Sequence, residues 1–155
     1  MNNKPLYNSR IIRTFVEYLR KHYPDVSIDS VLAYAGMTAS EIQDGSHWFT
    51  QSQVDRFHEI VTMKTDNPNV AREAGRFSAS TEGLGAAKQY TLGLMSLTSI
   101  YLLMGKLYPL LSRAAEIRAK KIRPNRVEIV CTPKPGVDEK PYQCENRMGT
   151  FEAVA

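Results

Sequence analysis

A chain of 155 residues with 43% apolar and 23% charged residues can form one domain with a real core, which excludes a disordered or fibrous protein. The net charge of +4 is unevenly spread: residues 84–126 hold eight Lys/Arg against one acid, and residues 26–83 hold four against eight. Cys131 and Cys144 are too few for a disulfide framework and fit no zinc spacing, so both are expected as reduced thiols.

The opening MNNKPLYNSR is polar and has no leader-like apolar run, so a cytoplasmic location is expected. Ile12, Phe15, Val16 and Leu19 recur at helical spacing and predict an amphipathic helix over 9–22, ended by Tyr23-Pro24-Asp25. Ser27 or Asp29 caps a second helix through Tyr34, stopped by Gly36. Thr38 starts a short third helix with Glu41 at the capping-box position, and Gly45 ends it. Within LAYAGMTASEI, the residues Leu32, Gly36 and Ile42 have the spacing of a DNA-reading helix-turn-helix. The second helix would bring Glu41 and Asp44 to the phosphates, however, and the basic residues cluster elsewhere. The corner therefore reads as scaffold, with no nucleic-acid partner.

Thr50 predicts the cap of a helix over 51–64, with Val54, Phe57, His58 and Val61 on one face. A TDNPN turn leads into a helix over 69–78, and STEG at 80–83 begins another helical stretch. Residues 89–105 carry no charge, but the run is shorter than the roughly 20 apolar residues of a membrane span and contains Gln, Ser, Thr and Gly. It predicts a buried helix pair, about 84–95 and 97–113, the second capped by Ser96, and no membrane span. Ile117 and Ala119 then alternate with Arg118 and Lys120, and Val127, Ile129 and Cys131 follow a Pro-Asn turn. That pattern predicts a β-hairpin with one apolar face and a solvated basic face. Residues 132–136 read as a loop, and a last helix as lined by Cys144, Met148 and Phe151.

The sum is an α+β, mainly helical chain: one domain over 1–155, helical over 1–113, with the hairpin and last helix over 114–155. The pattern stops at FEAVA inside an apolar stretch, as expected of a truncated domain that continues past Ala155. No nucleophile elbow, phosphate-binding glycine loop or paired carboxylates are present, so no catalytic residue and no metal site is assigned. Trp48, Phe57, His58, Tyr90, Met95, Tyr101 and Met104 are the candidates for lining a small-molecule pocket between the 51–64 helix and the 84–113 pair. His58, on its apolar stripe, reads first as a hydrogen-bonded core histidine and alternatively as a haem ligand.

The order GMTASEIQDGSHWFTQSQVDRFHEIVTMKTDNPNVAREAG, then LGAAKQYTLGLMSLTSIYLLM, resembles the N-terminal input region of bacterial sensor histidine kinases. It is similar, more distantly, to the effector-binding domain of AraC-type regulators. The segment KPGVDEKPYQCENRMGTFEA resembles one that in these sensors precedes a closing part like the ends of 4-vinyl-reductase-type and haem-NO-binding-type domains. Tyr7, Ser9 and Arg10 supply the residue types of the haem-NO family's triad, but at the N-terminus, and no ligand role is carried over. The resemblance implies a non-catalytic signal-input domain of a two-component kinase, with a small ligand or partner, an output kinase domain in cis and no cofactor. A homodimer would use the apolar C-terminal end. The alternatives are an AraC-type effector domain, or a haem or gas sensor through His58.

Overall fold

In a computed structural model, residues 4–80 and 93–154 are described. The N-terminal helices follow the apolar spacing closely. Helix α1 (Ser9–His22) buries Ile12, Phe15, Val16, Tyr18 and Leu19, and it starts where Asn8 accepts a hydrogen bond from the Arg10 amide. Helix α2 (Ile28–Ala35) is capped by Ser27 and ends at Gly36, whose φ of 68° places it in the left-handed region that glycine enters without strain. Thr38 and Glu41 form the full capping box of α3 (Ala39–Gln43). The Glu41 carboxylate accepts from both the amide and the hydroxyl of Thr38, so it serves the helix corner itself. Thr50 and Gln53 form a second capping box at the start of α4 (Gln51–Thr65), and α5 (Val70–Ala79) follows the Asn-Pro turn.

These five helices enclose the core. Leu19, Val31, Phe49, Val61 and Val70 are fully buried, and the Phe15 ring meets Phe57 edge-on at 5.4 Å between centroids. Two strands too short for their alternation to be read in the sequence close this core at one end. Strand β1 (Pro5–Asn8) pairs antiparallel with β2 (Trp48–Thr50), Tyr7 opposite Phe49. On its other side β1 meets the segment after the last helical turn, through Asn8 N–H to Leu111 C=O at 2.8 Å and Arg113 N–H to Leu6 C=O at 2.7 Å. Asn8 and Ser9 are buried here but satisfied: the Asn8 side chain donates to the Gly45 carbonyl at 3.0 Å, and the Ser9 hydroxyl to the Asp44 carbonyl at 2.6 Å.

Beyond residue 92 the pattern reading holds in part. Ser96 caps α6 (Leu97–Leu107), which turns into a 3₁₀ segment over Tyr108–Leu110. The expected helix over 97–113 is thus shorter, because Pro109 brings no N–H to a continuing α-helical ladder. Its expected companion over 84–95, and the stretch begun at STEG, lie almost wholly outside the described residues. No helix among the described residues is long and apolar enough to cross a membrane. The hairpin forms as expected from β3 (Ala115–Arg123) and β4 (Arg126–Pro133), around Pro124-Asn125, with Ile117 opposite Cys131.

The last helix, α7 (Pro141–Val154), corrects the reading most. Its buried residues are Gln143, Arg147 and Gly149, whereas Cys144 is exposed and Met148 is 40% exposed. Phe151 is half-buried and meets Tyr101 edge-on. The inward face is selected by backbone proximity and by polar partners. A Cβ on Gly149 would stand 2.0 Å from the Arg72 carbonyl oxygen, and one on Gly75 would stand 2.0 Å from that of Asn146. Helices α5 and α7 therefore cross glycine to glycine, flanked by Asn146 donating to the Ala71 carbonyl and by Arg72 and Arg76 on Glu152.

Candidate functional site

Along α4, Gln51, Asp55 and His58 fall at i, i+4 and i+7, on one face of the helix. This face looks across a groove of about 650 Å³ to Val137, Asp138, Lys140 and Tyr142, with Leu6 of β1 at its floor. Cavities of this volume lie within the range of small-molecule and cofactor sites. The groove sits between α4 and the loop leading into α7; of the expected pocket residues, the described lining includes only His58.

The groove is built on a hydrogen-bonded cluster. The Tyr7 hydroxyl donates to Gln51 Oε1, and Gln143 Nε2 donates to Tyr7 Oη. Gln51 Nε2 donates to Asp55 Oδ1 at 2.7 Å, and the Tyr142 hydroxyl reaches the same Oδ1 at 2.8 Å. The first residues of α7 are thereby tied to both α4 and β1. Burial, followed by the carboxylate of Asp55, pushes the Tyr142 phenol well above its usual range, so it remains a proton donor. Behind it, the side chains of Arg147 and Glu139 pair with each other, 10% and 9% exposed, and Arg147 Nη1 also donates to Tyr108 Oη at 3.2 Å.

His58 is the unusual member. Its imidazole lies flat against the Tyr142 ring, 4.0 Å between centroids and 11° between planes. Its Nε2 is buried with no hydrogen-bond partner. This differs from the hydrogen-bonded core histidine expected. A buried polar atom left alone costs about 1–3 kcal/mol unless something uses it. Burial pushes its pKa down to about 4, against a smaller opposing pull from Asp55, so the imidazole is neutral at pH 7. A neutral imidazole with a free nitrogen lone pair is a metal ligand in waiting.

The remaining expected residues disperse. Phe57, next to His58, turns into the core against Phe15. Trp48 lies on β2 under the Arg113 guanidinium, 3.8 Å from the ring centroid. Tyr101 on α6 donates to the Phe151 carbonyl at 2.8 Å, and Met104 is half-buried on the same helix. Met95 is half-buried just before α6, and Tyr90 lies outside the described residues. The sequence reading passed over Gln51, Asp55, Tyr142 and Gln143. The polar stripe at 51, 55 and 58 is present in the sequence, but it borders the apolar stripe of Val54, Phe57 and Val61, and His58 belongs to both.

An iron porphyrin asks for an unprotonated axial nitrogen, apolar faces and cations for its carboxylates. His58 carries an unpartnered nitrogen, and Tyr142, Val137 and Leu6 offer apolar surface; of the two cations in the same wall, Arg56 donates to the Ala35 carbonyl at 3.2 Å and Lys140 is paired with Asp138, beside Asp55 and Glu59. Of the described lining residues, His58 is thus the one whose donor atom suits iron.

No family model and no curated protein matches the chain. Solved structures do. One, from work on modulating haem redox potential through protein-induced porphyrin distortion, shares 18% identity at a TM-score of 0.70, covering 95% of this chain and 83% of that one. Another, from work probing haem distortion in the H-NOX family, shares 19% identity at a TM-score of 0.67, covering 95% and 78%. The expectation of no cofactor is corrected by these likenesses, since both relatives in fold are studied for their haem. Among the resemblances read from sequence, the one to haem-NO-binding domains agrees with them, and the α+β, mainly helical chain has an H-NOX-like fold.

Proposed function

We propose that this chain is a haem-based sensory domain in which His58 holds the iron. The observation that supports the reading is the unpartnered, neutral Nε2 of His58 at a groove of cofactor size, in a chain whose fold resembles that of haem proteins. When bound, the group supplies an iron site at which a small gaseous ligand coordinates. The chain's own part is to hold the imidazole neutral by burial and to flank it with the Tyr142 ring. Titrating the purified chain with haemin should give a Soret band that saturates at one equivalent and is lost or displaced in His58→Ala. A chain that takes up no haemin, or whose spectrum is unaltered by His58→Ala, would sink the reading.

The domain itself is proposed to be non-catalytic and to act on an output domain in the same protein, for which the sequence resemblance favours a histidine kinase. A ligand that prefers one packing of α7 would bias that output by its differential affinity for the two packings. Autophosphorylation of the full-length protein from labelled ATP, changed by haem loading, is the expected result. Absence of phosphate transfer would reject the kinase reading and leave the sensor reading intact.

A further inference from the structure

The β3–β4 hairpin balances its charges along its body and fails to do so at its tip. Helix α6 backs the strands at Ile117 and Ala119, where a methyl group on Gly105 would be in ordinary contact with both. Along this part Arg118 pairs with Glu116 at 3.0 Å, and Lys120 stands opposite Glu128 in the ladder. From 120 to 126 every residue is exposed. There Lys121 stands opposite Val127, and Arg123 lies directly opposite Arg126. Like charges at directly opposed positions destabilise a ladder. None of these three cations has an ion-pair partner among the described residues. The register slips between Lys121 and Arg123, which leaves Ile122 as the extra residue of a bulge, 42% exposed.

We propose that the tip of this hairpin docks on an anionic lipid surface, with Lys121, Arg123 and Arg126 at the headgroups and Ile122 entering the acyl boundary. The charge complementarity is plain, since residues 118–134 hold six Lys/Arg against one acid. An anionic layer relieves the repulsion between Arg123 and Arg126, and a lipid surface also sets an apolar phase directly behind its charges. Nucleic acid offers phosphates, but no aromatic ring lies within residues 115–134 to stack on bases. An acidic protein face accounts for the cations and not for the apolar side chain set among them. Each cation near an anionic leaflet strengthens binding about fivefold, so the three together supply on the order of a hundredfold. The inference rests on neither His58 nor haem.

Co-sedimentation of the purified chain with sucrose-loaded vesicles tests the proposal. At low salt the chain should bind phosphatidylcholine vesicles that contain about 30% phosphatidylserine and not those of phosphatidylcholine alone. Binding should fade as salt is raised. The triple variant Lys121→Gln/Arg123→Gln/Arg126→Gln should bind about a hundredfold less tightly, and Ile122→Ser about fivefold less. Arg123→Glu sets an acid opposite Arg126, so it should raise the thermal midpoint while weakening vesicle binding. That opposition separates a docking role from a structural one, and circular dichroism checks that each variant is folded. Equal binding to the two kinds of vesicle, or unchanged binding in the triple variant, would overturn the proposal. So would an Ile122→Ser variant that binds as the parent chain does while duplex DNA or polyglutamate displaces the vesicles, since the tip would then be a general contact for polyanions.

Discussion

The helices α1–α5 and the β3–β4–α7 region are built on opposite principles. In the first, ring and branched side chains interdigitate: Leu19, Val31, Phe49 and Val61 are fully buried and Phe57 meets Phe15 edge-on. In the second, the buried face of the last helix is Gln143, Arg147 and Gly149, held by side-chain hydrogen bonds and by two backbones in contact. Apolar packing is non-directional and tolerates small shifts, whereas the polar and glycine seam holds at one register only. The polar end of this second region adjoins the candidate ligand atom, through the Tyr142 ring on the His58 imidazole.

The largest effect should come from the apolar side. Phe57→Ala removes a fully buried ring, and urea unfolding should show a loss of about 3–5 kcal/mol. Removing one partner of the buried pair on the other side, by Arg147→Met, leaves the Glu139 carboxylate alone and should lose about 3 kcal/mol. The double variant Arg147→Met/Glu139→Leu should recover most of that loss, and a double variant no better than the single would show that the pair is not the organising contact. Next, Gly149→Ala places a methyl group 2.0 Å from the Arg72 carbonyl oxygen, so α5 and α7 must part, at about 1–3 kcal/mol. Limited proteolysis should then cut α7 before α1–α5; simultaneous cleavage would mean that the two regions do not differ as described.

The smallest effect concerns pH. Hydrogen bonds from Arg72 and then Arg76 hold the Glu152 carboxyl down at about 2, against an ordinary 4.5. A carboxylate whose folded pKa is depressed contributes stability that is fully present above its unfolded pKa and is lost as pH falls through the folded one. The α5–α7 contact should therefore weaken between about pH 4.5 and pH 2, and Arg72→Gln should flatten that part of the acid-unfolding curve. The pairs are exposed, so the change should be modest and shrink in high salt. An unchanged curve in Arg72→Gln would remove Glu152 from the account.

The sequence by itself determined what rests on local chemistry. Helix starts at Thr38 and Thr50, the stop at Gly36, the cap at Ser96 and the hairpin around Pro124-Asn125 depend on residues within one turn of each other. The apolar face of α1 is equally local, because a period of 3.6 marks it regardless of what it packs against. Only the tertiary structure decided which face of α7 turns inward, since that choice depends on the Arg72 backbone and on Tyr7, far away in the chain. It alone also set Tyr142 on His58, 84 positions apart in sequence. Periodicity finds surfaces that avoid water. A functional site is a meeting of polar groups from distant segments, and no single helix records who its partners are.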